Sequence, residues 1–207
     1  MRALAGLIIA GPMQAVLVVA LCTVLSFLAP PLTSILSYVG AAALALYCLH
    51  HDVRAGLIVL GGAVLLTGVL AEVLAGQGAV VAVTSMFLWW PVWLAAVVLR
   101  NTRSMAMAML ALTVLAMIAV LVVYLLYGEP TAWWQQQLQA VVEAIMAQPD
   151  LQLGDASAAF DTFVEQVAPV MTGLLAAGLS LAALGCLVLG RWWQSLLIKP
   201  GALRKEF

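Results

Sequence analysis

The sequence predicts an all-α fold: a polytopic membrane helix bundle of about six transmembrane helices, with both termini in the cytoplasm. An outward-facing amphipathic helical hairpin is expected between the fifth and sixth spans. The 207 residues are 66% hydrophobic and only 8% charged, whereas soluble domains carry about 25% charged residues. Long apolar runs recur along the chain, and the basic residues cluster on one side of them. We therefore expect the chain to lie in a lipid bilayer, and the bilayer is the first partner that the sequence predicts.

Six apolar stretches approach the roughly 20 residues that a helix needs to cross the hydrocarbon core. Proline, which lacks the backbone donor of a helix interior, and clusters of glycine or polar residues mark their ends. The predicted spans are 12–29, 32–49, 55–75, 79–99, 104–127 and 169–190. A short helix interrupted at Gly11-Pro12 is expected before the first span. We expect one membrane domain over residues 1–207, ending in an inner-interface segment, 191–207, anchored by Arg191-Trp192-Trp193.

The distribution of charge predicts the orientation. With the N-terminus inside, every lysine and arginine is cytoplasmic, which is the positive-inside pattern. These residues are Arg2, Arg54, Arg100, Arg103, Arg191, Lys199, Arg204 and Lys205. Most acidic residues fall on the opposite side. The pattern predicts a multi-pass protein of the bacterial inner (cytoplasmic) membrane.

The segment 129–168 is the only long polar stretch and falls on the outer side. Apolar residues recur in it at helical spacing and form two stripes. They are Trp134, Leu138, Val141, Val142 and Ile145, then Phe160, Phe163, Val164 and Val167. Pro149 and Gly154 supply a turn between them, and Asp155 is a candidate N-cap of the second helix. We predict a helical hairpin that lies on the outer surface or dips into it.

Glu72 is the foremost candidate for a functional charge, because a carboxylate within a membrane span is costly and is a functional hypothesis by default. It lies near the outer end of the third span, close to Gly76. It could bind a ligand, an ion or a proton, or it could simply reach water at the lipid headgroups.

Aromatic and hydroxyl side chains offer further candidates. The run 89–93 places three tryptophans around Pro91; a proline break can line a cavity, but a kinked helix packed by large rings is the favoured interpretation. Several hydroxyls could line a polar cavity, although they can also bond to helix carbonyls. They are Thr33, Ser34, Ser37, Thr84 and Ser85.

Other classes of function find little support. The adjacent His50 and His51 cannot supply separated acid and base groups, and with Cys48 and Asp52 they match no zinc spacing; solvated loop histidines are expected. Nucleophile elbows and phosphate-binding loops are missing, so no enzyme, metal or cofactor is predicted. The net charge of −1 gives no reason for a nucleic-acid partner.

Several segments together resemble the YybS-like predicted bacterial membrane proteins, a family of unknown function. The segments are Met1-Arg2-Ala3-Leu4-Ala5 with Gly11 and Gln14, Ala132-Trp133-Trp134-Gln135, 171–178, 191–197, and Lys199-Pro200-Gly201 with Glu206-Phe207. Members of that family continue into further helices, so we expect this chain to be a fragment or a short variant.

The family is distantly similar to the S components of energy-coupling-factor vitamin transporters, which are bundles of about six helices that bind ligand near the outer surface. The resemblance implies a coupling membrane subunit and ATPases as partners. The alanine-rich docking motif of S components is only approached here, by Gly6 and Ala10, before Pro12 interrupts the helix.

Two functions therefore remain open. The first is a substrate-binding, S-component-like subunit for small-molecule uptake, with Glu72, Ser85 and Trp134 as ligand contacts under the hairpin. The alternative is a non-transporting membrane scaffold or assembly factor that holds other membrane proteins through small-residue helix faces such as Gly173 and Ala177. A binder needs convergent polar groups in the outer half, whereas a scaffold needs only a packed interior and a contact face.

Overall fold

The computed structural model describes residues 2–28, 34–146 and 157–198, and within these ranges the chain is helical, with short turns and no strand. The predicted all-α fold is confirmed. In chain order the helices are α1 (Arg2–Ala10), α2 (Pro12–Leu28), α3 (Ser34–His50), α4 (Val53–Ala75), α5 (Gly78–Thr102), α6 (Met105–Tyr127), α7 (Thr131–Met146), α8 (Ser157–Val167) and, after a 3₁₀ turn at Ala168–Val170, α9 (Met171–Ile198).

Among the described residues, four helical runs are long and apolar enough to cross a bilayer, and the chain is a membrane protein. They are Val53–Ala75, Gly78–Thr102, Met105–Tyr127 and Phe160–Ser195. Two shorter apolar helices, Pro12–Ser26 and Ile35–His50, coincide with the first two predicted spans. Each belongs to a helix of 17 residues, which is at the lower end of the lengths that span a membrane.

The chain divides into two compact units, each with its own packing. The first unit comprises Met1–Val114 and Leu179–Phe207, and the second Leu115–Gly178. In the first unit α3 is the central helix, because nine consecutive residues from Ala41 to Leu49 are buried, and only a helix surrounded by others buries every face. Small side chains allow this close approach; a Cβ on Gly190 of α9 would lie 2.9 Å from the carbonyl oxygen of Ala42.

Helices α4 and α5 form an antiparallel pair joined by a tight turn. Gly76 ends α4 in the left-handed conformation (φ 64°). Its N–H donates to the Glu72 carbonyl oxygen at 2.9 Å, and the N–H of Gln77 donates to that of Ala71 at 3.5 Å. Glycine adopts this conformation without the penalty that a Cβ brings. Helix α5 begins two residues later at Gly78 and continues through Pro91.

The second unit contains the predicted hairpin helices. Trp134, Leu138, Val142 and Ile145 form a half-buried stripe on α7, and Val164 and Ala168 are buried. Val141 and Phe163 were expected in the stripes but are exposed, since each lies one residue off the packed face. The predicted turn at Pro149 and Gly154, and the Asp155 cap, lie outside the described residues. Helix α8 leads into α9 through the 3₁₀ turn alone.

Candidate functional site

Glu72 lies in the last turn of α4 and is exposed. Its Oε2 accepts a hydrogen bond of 2.8 Å from the backbone N–H of Gly78, the first residue of α5. The N–H groups of a helix's first turn have no partner within the helix, and a negative charge there is favourable. The carboxylate therefore caps α5, a role that spacing alone did not reveal, because the acceptor comes from the preceding helix.

Beside this cap, the backbones of α4 and α5 approach each other so closely that a Cβ would not fit between them. A Cβ on Gly78 would lie 2.6 Å from the carbonyl oxygen of Gly68 and 2.7 Å from the Glu72 side chain. A Cβ on Gly68 would in turn lie 3.0 Å from the Ala82 Cβ. The glycines thus set the crossing of α4 and α5 and hold Glu72 over the start of α5.

Two fully buried side chains of this helix pair have polar atoms without a hydrogen-bond partner in the described protein: the Thr67 Oγ1 and the Trp89 Nε1. The threonine is unusual within this molecule. Four other threonine hydroxyls donate to the carbonyl oxygen four residues earlier: those of Thr23, Thr84, Thr102 and Thr113. That bond is the usual way to satisfy a hydroxyl in a membrane helix. The Thr67 hydroxyl therefore still has a hydrogen bond to offer that no described protein group takes up.

Ser85 is also buried, on α5. It precedes Trp89 by four residues, so the two side chains share one face of the helix. Thr67 is next to Gly68, and Ser85 follows Ala82 by three residues, so both lie within about one helical turn of the Gly68–Ala82 contact. We call Thr67, Ser85 and Trp89 the polar strip; Glu72 lies at the turn end of the same helix pair.

The polar strip offers hydrogen bonds but no titratable group. A hydroxyl donates and accepts, whereas an indole N–H only donates. Each of these groups is therefore suited to a hydrogen bond with an uncharged polar partner. The sequence predicted Glu72 and Ser85 as contacts but not Thr67, and it predicted that Trp89 serves helix packing. A threonine or a tryptophan in a sequence does not show whether its polar atom finds a hydrogen-bond partner in the fold.

Trp134, the third predicted contact, belongs to the second unit, whereas Glu72 and Ser85 belong to the first. Its Nε1 donates a 2.8 Å hydrogen bond to the Thr172 Oγ1, which fastens α7 to the start of α9. Trp133 packs edge-on against it, with ring centroids 4.5 Å apart, and is exposed. The indole N–H of Trp134 thus has a structural partner.

The other hydroxyls of the predicted cavity do not join the strip. Thr84 is exposed and bonds to the carbonyl of Val80, and Ser37 has a bonding partner of its own. Thr33 lies outside the described residues, and nothing is described of the Ser34 side chain. Trp90 and Trp93 stack on each other with centroids 5.1 Å apart.

Comparisons with known proteins add no relative. No family model matches the chain, no curated protein matches it, and no solved structure matches its fold.

Proposed function

We propose that the chain is a membrane-embedded binding subunit for a small polar molecule, of the substrate-binding type that serves uptake across a bacterial inner membrane. The observation that carries the proposal is the pair of fully buried, unpartnered polar atoms, Thr67 Oγ1 and Trp89 Nε1. An unsatisfied buried group costs about 1–3 kcal/mol, and the bilayer offers no water to relieve it. A bound ligand that completes these hydrogen bonds recovers that energy.

The donors define the chemistry of the ligand. Because the Trp89 indole only donates, the ligand needs an acceptor such as a carbonyl or hydroxyl oxygen. Glu72 is the only ionisable side chain near the strip along α4 and α5, and its negative charge disfavours an anion. The ligand is therefore neutral, or cationic at the part that faces Glu72.

The resemblance to S components supports the same proposal independently of the polar strip. It implies a coupling membrane subunit and ATPases as partners, and a ligand site at the outer end. The positive-inside pattern supports this, because it predicts that the turn between α4 and α5, and with it Glu72, is at the outer end.

Purification from native membranes in a mild detergent, followed by mass spectrometry of the proteins and small molecules that remain bound, tests the proposal. The expected result is one reproducible small molecule with acceptor oxygens, together with ATPase and coupling subunits. If neither accompanies the chain while other membrane proteins do, the binding proposal is wrong.

That second outcome belongs to the alternative function, a membrane scaffold or assembly factor. Its support is the unusual exposure of α6, where only Ala108 and Leu112 are buried, and the open glycines of α9. A Cβ on Gly173, Gly178 or Gly185 would meet no heavy atom within 4 Å. Small residues of this kind allow another membrane helix to approach closely.

A further inference from the structure

The end of the first unit away from the α4–α5 turn carries a second set of unpartnered polar atoms. Four side chains there have a buried nitrogen without a hydrogen-bond partner in the described protein: His51 Nδ1, Trp93 Nε1, Arg100 Nη1 and Trp193 Nε1. We call these four residues the inner donor cluster. Trp193 is 2% exposed, so its indole N–H has no access to solvent.

Contacts of these residues and of their sequence neighbours place all four at the same end. Arg100 Nη2, near the end of α5, lies 2.9 Å from Asp52 Oδ1 in the connection between α3 and α4. His51 precedes Asp52 and stacks on Tyr47 of α3, with centroids 4.3 Å apart. His51 is therefore half-buried, rather than solvated as the sequence suggested, because the Tyr47 ring covers one of its faces.

Trp93 and Trp193 reach the same end from α5 and α9. The Trp93 Nε1 is 3.3 Å from the position that a Cβ on Gly56 would take, in the first turn of α4. Gln194, next to Trp193, donates from Nε2 to the carbonyl oxygen of Leu49 at 3.2 Å. The ends of α3, α5 and α9 and the start of α4 therefore meet at this end of the first unit, where the cluster residues lie.

The missing partners have a definite chemistry. Indole and guanidinium nitrogens only donate, and arginine stays charged at any physiological pH. The acidic partner of Arg100 is Asp52, whose side chain is 88% exposed, and an exposed ion pair contributes about 0–1 kcal/mol. A ligand with several acceptor oxygens and a negative charge can therefore replace Asp52 as the partner of Arg100.

The charged residues around the cluster also favour a negatively charged ligand. The described charged side chains at this end are Arg54, Arg100, Arg103, Arg191 and Asp52, a clear excess of positive charge. Arg191 donates to Oε1 of Gln194, the residue that follows Trp193 on α9. Basic sites between helices on the cytoplasmic side suit phospholipid headgroups.

We propose that the inner donor cluster binds a phosphate group, with Arg100 as the principal contact and Asp52 as the internal competitor that the phosphate displaces. Trp93, Trp193 and His51 supply further hydrogen bonds. The group is either the headgroup phosphate of a phospholipid or free inorganic phosphate. This site is independent of the polar strip and of the proposed uptake function.

Binding to the full chain in detergent tests the proposal with two probes. Native mass spectrometry counts the phosphatidylglycerol molecules retained, and tryptophan fluorescence follows titration with inorganic phosphate. Retention of the lipid without a response to phosphate identifies the headgroup as the source; a saturable response to phosphate identifies the free anion. A chain that responds to neither probe contradicts the proposal.

Three variants decide the role of the residues. Arg100→Gln should weaken binding about tenfold or more, since it removes a charge-assisted hydrogen bond. Asp52→Asn keeps all four nitrogens of the cluster and should bind several-fold tighter, because the competing carboxylate is gone. Arg54→Gln removes an exposed charge near the same end and should bind within about twofold of the unmodified chain.

The Asp52 variant keeps the proposal testable if Arg100→Gln does not fold. Binding by Asp52→Asn that is equal to or weaker than that of the unmodified chain overturns the competition between Asp52 and the phosphate. Equal losses in Arg100→Gln and Arg54→Gln indicate attraction to the general positive charge and overturn the site.

Discussion

At the scale of single residues, Glu72 combines a structural contact with a predicted functional one. Its carboxylate caps α5 through the N–H of Gly78, and it follows Thr67 of the polar strip by five residues on α4. The two roles separate chemically, because the cap requires an acceptor oxygen while recognition of a cationic group requires the charge.

Two substitutions at this position distinguish the roles. Glu72→Ala should lower stability by about 0.5–2 kcal/mol, the range for the loss of a capping acceptor, and should weaken ligand binding. Glu72→Gln retains an acceptor for Gly78 and should melt close to the unmodified chain, yet still bind ligand more weakly. Thermal melting in detergent and ligand retention are the two measurements. Unchanged retention in both variants removes Glu72 from the site and leaves it as a cap.

At the scale of helices, the glycines of the α4–α5 pair differ in how much space surrounds them. Gly78 faces the backbone of Gly68, whereas a Cβ on Gly61 would meet no heavy atom within 4 Å. The same substitution should therefore have opposite effects at the two positions.

Gly78→Ala should destabilise the chain by about 1–3 kcal/mol, the usual effect of an added methyl in a packed interface. Gly61→Ala, the matched control within α4, should be neutral or stabilising by up to about 1 kcal/mol, since alanine is the better helix former. Melting temperatures in the same detergent compare them. A loss of stability at Gly61 equal to that at Gly78 would contradict the close crossing.

The helices themselves were largely predictable from the sequence. Apolar runs, the break at Gly11-Pro12 and the Gly76-Gln77-Gly78 turn depend on local chemistry, and most helix boundaries follow them closely. The exception is α9, which continues to Ile198 although the predicted span ended at 190. The polar strip was only partly predictable: Ser85 was named, but Thr67 was not. Whether a hydroxyl bonds to its own helix, as in Thr84, or is left unpaired, as in Thr67, depends on rotamers and neighbours that spacing does not encode.

At the scale of the whole molecule, the positive-inside pattern predicts which connections face each side of the membrane. Gln77, in the turn between α4 and α5, should be external, and Asn101, in the last turn of α5 between Arg100 and Arg103, cytoplasmic. In the described structure both positions are exposed, so a cysteine introduced at either one is accessible to a reagent.

Labelling of intact cells with a membrane-impermeant maleimide measures this orientation. Gln77→Cys should react in intact cells, and Asn101→Cys only after the membrane is opened. The native cysteines provide a matched background: Cys48 and Cys186 are buried and Cys22 is half-buried. The reverse labelling pattern would invert the topology and place Glu72 in the cytoplasm.

The central claim is that the buried Thr67 hydroxyl is unpaired because it serves a ligand. Its most direct test is ligand retention after purification from native membranes, measured by native mass spectrometry for Thr67→Val and the control Thr84→Val. Valine keeps the branched shape and removes only the hydroxyl's hydrogen bonds. The account predicts that Thr67→Val loses the ligand and that Thr84→Val retains it. With both chains freed of ligand, Thr67→Val should melt at the same temperature as the unmodified chain or higher, since an unsatisfied group has been removed. Equal retention by both variants would contradict the account.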